Sequence, residues 1–441
     1  MTNKTPTLSL VMIVKNEEHI IRECLETVYK EIDRYDITDT GSSDSTIQII
    51  KDFFQEKGIP GEVYESDWKG FGKSRTESLR NADKGGADYS WVIDADDRLE
   101  GTLGWSNNKG LDYDVFALNI ARGGLNWWRN QIFKNNIGWE YVGVLHEYAS
   151  LPTKQTANGA RLNGDYSIDA RTMGARTQQF GEDQSAKYRA DAETLIDCLE
   201  NPDNPNYDPK NTRYVFYAAQ SYFDAQEWEK AIEWYTKRAE MGGWEEEQWF
   251  CVFRIGLSKM FMGDNFAEAQ DHFMQAYNLR PHRAEPMFHL AKTHRLNGNE
   301  NLAYLLAKGL VNCDPQADIL FIDQTIYDWG IWDEIGATAF KQGDFEVGYR
   351  ACEKLLKDGK LPQEHLERVT NNFNSYRNAL VQQQQAQQEA LQKQQQAQNA
   401  KQVESENEKE RRAVLRKAKE EQKKRQKRDL NKRNKAKSRS R

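Results

Sequence analysis

The sequence predicts an α/β domain with a mostly parallel sheet, then an all-α array of helical repeats, then a basic tail. Short apolar runs alternate with helical stripes over roughly the first 150 residues, and this alternation is typical of βαβ units. The apolar pattern then becomes helical, and the composition of the last part of the chain is dominated by Gln, Ala, Lys, Arg and Glu. The predicted domains are 1–183, with a loop or linker at 151–183, then 184–377 and 378–441.

The N-terminal strands and helices follow from apolar periodicity. Leu8–Val14 is a short continuous apolar run, which indicates a buried strand, and residues 17–30 carry an apolar stripe of helical period. Later runs predict strands and helices in alternation. The remaining strands are predicted at 36–39, 61–66, 89–93 and 114–120, with helices at 45–57 and 71–82.

Polar residues gather where the predicted parallel strands end. Asn16 and Glu17 end the first strand, Asp39 ends the second, and Asp94 and Asp96 end the fourth. Open α/β sheets bind ligands at this edge, and carboxylates crowded there repel one another unless a cation lies between them. Asp oxygens suit Mn²⁺ or Mg²⁺. We therefore expect a metal-assisted site for a phosphorylated donor; a solvated acidic turn is the alternative for the Asp-x-Asp-Asp motif alone.

Three segments carry a family resemblance. Val11–Glu18, Asp39–Thr46 and Asp94–Asp97 resemble, in order and spacing, the successive signatures of family 2 glycosyltransferases with the GT-A fold. The resemblance covers about residues 7–150. It implies a Rossmann-like GT-A domain that takes a nucleotide-sugar donor, most commonly a UDP-sugar. No Gly-x-Gly-x-x-Gly or P-loop motif occurs, which disfavours a dinucleotide dehydrogenase and a P-loop ATPase.

The resemblance also implies roles for single residues. Asp39 would contact the nucleotide base, and Lys15, Asn16 and Glu17 would line the nucleotide pocket. Asp94 would lie near the ribose or the metal, and Asp96 would bind the metal that bridges the diphosphate.

A basic stretch precedes the Asp-x-Asp-Asp motif. Arg75 matches the family's Arg-Asn pair only in part, because Thr76 replaces the Asn. The resemblance implies that Arg75 contacts the donor; a surface helix cation is the alternative.

The motif Gly143–Glu147 resembles a Gly-x-x-His-Glu found in a subgroup of family 2 enzymes that often carry tetratricopeptide repeats. An inverting transfer needs a base to deprotonate the acceptor. Glu147 is the first candidate, and Asp97 is the alternative, because the later Glu-Asp pair of many relatives has no clear copy here. His146 is a candidate additional metal ligand or else a structural histidine.

Small residues recur twelve apart in the helical region, as in Ala219 with Ala231 and Ala291 with Ala303. This spacing predicts tetratricopeptide-type helix pairs over roughly 212–358. Such an array usually binds a protein partner or a second copy of itself, so a protein or peptide acceptor is slightly favoured.

The tail differs from the rest of the chain in charge. Residues 401–441 hold 18 Lys and Arg against 7 Asp and Glu, a net of +11, whereas the whole chain carries −7. We expect a partly helical, otherwise disordered extension; a coiled coil is less favoured without a sustained apolar heptad. The basic end could make weak, nonspecific contact with nucleic acid or another anionic surface, or it could simply be solvated.

Five scattered cysteines indicate free thiols in a reducing compartment, and no run of 18 apolar residues occurs. These features predict a cytoplasmic protein without a transmembrane segment.

An inverting, metal-dependent glycosyltransferase is the main functional hypothesis. A tetratricopeptide scaffold with a vestigial nucleotide-binding domain is the second, and nucleotidyl transfer ranks last because Val11–Glu18 lacks glycine.

Overall fold

The structure is a computed structural model that describes residues 5–107, 112–181, 183–263 and 266–437. The chain forms two compact units, residues 1–338 and residues 339–441. Each unit is described separately below. The boundaries predicted at 183/184 and 377/378 stay predictions.

Strands and helices alternate through the first part of the chain, as the sequence predicts. Strands β3, β2, β1 and β4 lie side by side in that order, and all pair in parallel. Apolar side chains such as Trp91, Phe53 and Phe54 are fully buried between the sheet and its helices. The elements are β1 (Leu8–Val14), α1 (Ile21–Val28), β2 (Arg34–Asp39), α2 (Thr46–Lys57), β3 (Gly61–Glu65), α3 (Phe71–Gly85), β4 (Tyr89–Val92) and β5 (Arg98–Gly101).

The sheet continues beyond β4 with antiparallel pairing. Strand β7 pairs antiparallel with both β4 and β6, and β10 and β11 pair in parallel with β6. A separate two-stranded sheet joins β8 to β9. These elements are β6 (Val115–Arg122), β7 (Leu125–Lys134), β8 (Glu140–Val142), β9 (Tyr148–Ser150), β10 (Gly159–Arg161), β11 (Tyr166–Asp169) and the short helix α4 (Ala175–Gln178).

The segment 151–183 was expected to be a loop, but it contributes β10, β11 and α4. Strand β11 lies between β6 and β5 in the sheet. Its buried positions are only Tyr166 and Ile168, two residues apart. So short an alternation, set among Gly, Asn and Asp, gives too little periodicity to predict a strand from sequence.

Helix pairs follow the sheet. Ala219 and Ala231 are fully buried, and a Cβ added to Gly256 would lie 2.9 Å from the Phe273 ring. Small residues thus allow close packing of paired helices, and the tetratricopeptide-type class predicted from their spacing is confirmed. The helices are α5 (Gln184–Glu200), α6 (Thr212–Asp224), α7 (Trp228–Glu240), α8 (Glu245–Met262), α9 (Phe266–Leu279), α10 (Glu285–Leu296) and α11 (Glu300–Gly309).

The repeat region returns to the sheet before the first unit ends. Strand β12 (Ile322–Asp323) pairs antiparallel with β7, with Ile322 opposite Asn126. A π-helical turn over Ile326–Gly330 then leads into α12 (Ile331–Thr338). The array is therefore joined to the sheet by backbone hydrogen bonds as well as by chain connection.

The second unit contains α13 (Phe345–Asp358) and the long helix α14 (Gln363–Lys437). Gly348 lets α13 approach α14, because an added Cβ would lie 2.2 Å from the Tyr376 ring. Every side chain from Val381 to Asn434 is exposed. The tail, expected to be only partly helical, is one continuous helix to Lys437, and the last four residues, 438–441, lie outside the described residues.

All five cysteines are free thiols, as their spacing predicts. Within the described part of the chain, every helix is either too short or too polar to span a lipid bilayer.

Candidate active site

A cavity of about 580 Å³ lies at the carboxyl ends of β1, β2 and β4. Its other walls come from α3, from the segment 171–179 and from α5. The parallel strand order therefore brings the predicted polar residues to one place. The predicted site residues that line the cavity are Lys15, Asn16, Glu17, Arg75, Asp94 and Asp96.

Asp39 ends β2 beside Thr40, which lines the cavity. Its Oδ2 accepts hydrogen bonds from the backbone N–H groups of Gly41 and Ser42, both at 2.9 Å. Its Oδ1 is buried and has no hydrogen-bond partner among the described residues. Asp39 thus has one buried acceptor oxygen without a partner among the described residues, next in sequence to a residue that lines the cavity.

Asn16 organises the loop that follows β2. It has a positive φ of 57°, a conformation that Asn tolerates better than most residues. Its side-chain oxygen accepts from the Ser43 N–H at 2.8 Å, and its own N–H donates to the Ser42 hydroxyl at 2.9 Å. Asn16 therefore shapes the wall of the predicted nucleotide pocket.

Arg75 bridges two carboxylates. An added Cβ on Gly72 would lie 2.6 Å from the Gly143 carbonyl oxygen, so only glycine lets α3 approach this closely. One turn later, Arg75 Nη2 donates to Asp94 and its Nε donates to Glu147. The Arg75 side chain is only 12% exposed, which excludes the alternative of a surface cation.

Asp94 is held as an anion. Burial favours a raised pKa for Asp94, but Arg75 and Arg129 outweigh burial and lower the pKa below its ordinary value. Arg129 Nη2 lies 3.7 Å from the second carboxylate oxygen of Asp94.

The segment 171–175 lies over the other acidic residues. Asp96 Oδ2 accepts from the backbone N–H groups of Met173 and Gly174, both at 2.9 Å. The Ala175 N–H donates to the Glu17 carboxylate at 3.2 Å. Burial, together with Asp94, raises the pKa of Asp96, and burial raises the pKa of Glu17 to about 7.

Asp97 and Glu147, the two candidate bases, are not among the described residues that line the cavity, but Glu147 contacts Arg75, which does line it. Asp97 is 3% exposed and accepts from the Arg171 N–H at 3.3 Å. Burial, followed by the charge of Asp94, raises its pKa well above the ordinary value.

His146 packs against the repeat array. Its ring stacks on Tyr217 of α6, with centroids 3.9 Å apart and planes 5° from parallel. Burial first, and then Arg213, lower its pKa to about 3. Within the described ranges no three His, Cys, Asp or Glu side chains are grouped to hold a metal ion. The predicted ligand set of Asp94, Asp96 and His146 is therefore not brought together.

Asp94 and Asp96 nevertheless fit a hard divalent cation. Mg²⁺ typically takes one or two protein carboxylates and completes its octahedron with substrate phosphates and water. Both Asp residues line one cavity, so two carboxylates and a diphosphate would suffice without a histidine.

Residues 9–105 match the family model described as Glycosyl transferase family 2. These residues form a family 2 glycosyltransferase domain. The enzyme class predicted from the sequence is confirmed. Among solved structures, MamA is 18% identical over 44% of this chain and 99% of its own, with a TM-score of 0.31. TarS from S. aureus, solved with UDP-GlcNAc, is 13% identical over 62% of this chain and 91% of its own, with a TM-score of 0.29. Such low scores carry no information on substrate.

One wall of the cavity was not predicted from the sequence. Arg171, Gly174 and Arg176 belong to the segment taken for a linker, and Lys187 lies on the first helix after it. Their signal in the sequence is weak: two arginines flank a glycine just after a short strand. Trp68, in the loop after β3, and Phe71, the first residue of α3, also line the cavity, and neither was predicted as a site residue.

Proposed function

We propose that the protein transfers a sugar from a nucleotide-sugar, with UDP as the nucleotide, with inversion and with the aid of a divalent metal. One observation carries the proposal: Asp94 and Asp96 line the same cavity as Lys15, Asn16 and Glu17. A diphosphate bound there would meet the carboxylate pair that fits a metal, with the nucleotide beside it.

Asp39 suits a base that donates a hydrogen bond. Its buried, unpartnered Oδ1 can accept a hydrogen bond from a ring N–H group of the base. Uracil, thymine and guanine carry such an N–H, and the corresponding ring nitrogen of cytosine does not. A buried acceptor left without a donor is costly, so the site discriminates against cytosine.

In the transfer, one proton moves to the base, and one carbon–oxygen bond at the anomeric carbon forms as another breaks. The acceptor hydroxyl gives its proton to the base as its oxygen attacks the anomeric carbon. The bond from that carbon to the diphosphate breaks, and the nucleoside diphosphate leaves with the bonding electrons. A bound Mn²⁺ or Mg²⁺ would neutralise the charge on this leaving group. Asp96 and Asp94 would hold the ion, and Arg75 fixes the position of Asp94.

Thermal stability of the full chain against UDP, dTDP, GDP and CDP, each with and without Mn²⁺, tests the donor. We expect UDP with Mn²⁺ to raise the melting temperature most and CDP to raise it least. A ligand at 100 times its Kd adds about 2.7 kcal/mol of stability, which is readily detected. No shift with any nucleotide would contradict the proposal and favour the alternative, an interaction scaffold with a vestigial nucleotide site.

Glu147 is proposed as the base. Arg75 holds one of its carboxylate oxygens, which leaves the other to accept the acceptor's proton. We expect Glu147→Gln to lower kcat by about 10²- to 10⁴-fold, the usual contribution of a general base. Binding of UDP with Mn²⁺ should be unchanged.

Asp97→Asn is the comparison for that experiment, measured by turnover and by UDP binding. If Glu147→Gln keeps wild-type kcat while Asp97→Asn loses it, Asp97 is the base and the assignment of Glu147 is wrong.

A further inference from the structure

Four cations from different elements converge where the glycosyltransferase domain meets the repeat array. They are Arg122 at the end of β6, Arg176 in α4, Lys187 in α5 and Arg213 in α6. All four lower the pKa of His146, which lies among them. We call these four residues the cationic cluster.

The cationic cluster opens into the cavity. Arg176 and Lys187 line the cavity, and Arg176 lies over the Phe71 ring, 5.3 Å from its centroid. Arg122 Nη2 donates to the hydroxyl of Tyr188, next to Lys187, at 3.2 Å. The cluster is therefore continuous with the cavity that contains Asp94 and Asp96.

Carboxylates only partly compensate the charge of the cluster. Asp191 pairs with Arg176. Lys187 has a lowered pKa, because burial, with the charges of Arg176 and Arg122, outweighs the attraction of Asp191 and Asp224. This excess of positive charge occurs in a protein whose net charge is −7 despite a strongly basic tail. A confined cationic site of this kind raises the local concentration of anions.

The order of strands places Arg122, one member of the cluster, away from the expected donor site. From β2 the sheet runs through β1, β4 and β7 to β6. Asp39 ends β2, Asp94 and Asp96 follow β4, and Arg122 ends β6. Neighbouring strands are about 4.8 Å apart, so β6 lies about 10 Å beyond β4, on the side away from β2. The base would bind near β2 and the diphosphate near β4, which leaves the β6 side for the acceptor.

The wall that carries the cluster is fixed to the glycosyltransferase domain. Arg213 Nε donates to the His146 carbonyl oxygen at 2.7 Å, and the Val144 N–H donates to the Tyr214 hydroxyl at 3.2 Å. Strand β12 ties the other end of the array to β7. Preorganised charges of this kind bind a ligand with little loss of side-chain freedom.

We propose that the cationic cluster is the acceptor subsite and that it takes an anionic acceptor, with phosphate or carboxylate groups close to the attacking hydroxyl. Guanidinium groups match both anions through paired N–H donors. The inference rests on the proposed function for the identity of the donor. It assigns the first repeat helices a role in substrate binding.

The test compares two anions on the full-length chain by isothermal titration calorimetry. The variant is Arg122→Gln/Lys187→Gln. The probes are inorganic tripolyphosphate without metal and, separately, UDP with Mn²⁺. We expect the variant to bind tripolyphosphate at least tenfold more weakly than wild type and to bind UDP with Mn²⁺ within twofold of wild type.

A matched control is Lys51→Gln/Lys73→Gln, which removes the same charge from exposed positions on α2 and α3. It keeps any tripolyphosphate binding by the basic tail and should behave as wild type. Unchanged tripolyphosphate affinity in the test variant would overturn the proposal. Equal weakening of UDP binding would also overturn it, because the cluster would then hold the donor diphosphate. If wild type binds tripolyphosphate at the cluster but binds no nucleotide, the proposed sugar transfer from a nucleotide-sugar is contradicted, whereas the anion site is not.

Discussion

Replacing Asp96 with alanine is expected to lower sugar-transfer activity by at least about 10²-fold and to remove the Mn²⁺-dependent part of UDP binding. Loss of one preorganised electrostatic partner of a transition state costs about 10²- to 10³-fold in kcat. Asp96 is also the proposed link between the protein and the metal on the leaving diphosphate. Turnover with and without Mn²⁺, and melting temperature with UDP, measure the two effects.

The same substitution should leave the fold intact. Burial and Asp94 raise the pKa of Asp96, so its ionised carboxylate is less favourable in the folded protein than in water. Removing it ends the unfavourable burial of this charge but also frees the N–H groups of Met173 and Gly174, so we expect a melting temperature without ligand close to that of wild type. Asp203→Ala, which removes an exposed loop carboxylate, is the control for net charge. Full Mn²⁺-stimulated turnover in Asp96→Ala would contradict the metal-assisted mechanism.

The carboxylates at the carboxyl end of the sheet could be predicted because the sequence patterns that indicate them are local. Strand β1 covers Leu8–Val14, as its apolar run predicts, and the third helix starts at Phe71 as predicted. Parallel strands place the residues that follow them at a common edge, so Glu17, Asp94 and Asp96 meet without any long-range information.

The contacts that complete the site were not predictable, because each joins distant parts of the chain. Arg75 and Glu147 are 72 residues apart, and Asp96 and Gly174 are 78 apart. A single sequence carries no periodicity that relates such pairs. The stacking of His146 on Tyr217 could not be predicted for a similar reason, because Tyr217 belongs to the repeat array.

The repeat array also returns to the sheet through a charged network that its helical pattern does not reveal. The segment between α11 and α12 carries Asp318, which is fully buried. Its carboxylate accepts from Arg280 Nε at 2.9 Å and from Arg283 Nη1 at 3.1 Å, and it lies 3.0 Å from His282 Nε2. Arg283 is itself fully buried and stacks 4.0 Å above the Trp249 ring. Asp318 thus anchors the segment that continues into β12.

Asp318→Ala is expected to destabilise the first unit by about 3–5 kcal/mol, the cost of removing one partner from a buried ion pair. Glu285 still neutralises part of the Arg283 charge, at 2.8 Å, but the N–H group that faced Asp318 is left buried. Urea unfolding followed by tryptophan fluorescence measures the loss. Asp314→Ala is the control, because Asp314 is exposed in the same segment and should cost within about 0.5 kcal/mol.

The difference between wild type and Asp318→Ala should also depend on pH. Burial opposes ionisation of Asp318, but Arg280, His282 and Arg283 outweigh it and lower its pKa to about 2. The unfolded pKa is about 3.9, so this carboxylate contributes fully to stability above about pH 4 and loses its contribution as pH falls towards 2. Urea midpoints of the two proteins should therefore converge between pH 4 and pH 2. A loss below about 1 kcal/mol at pH 7, or a difference that persists unchanged at pH 2, would show that the charge of Asp318 does not hold the array to the sheet.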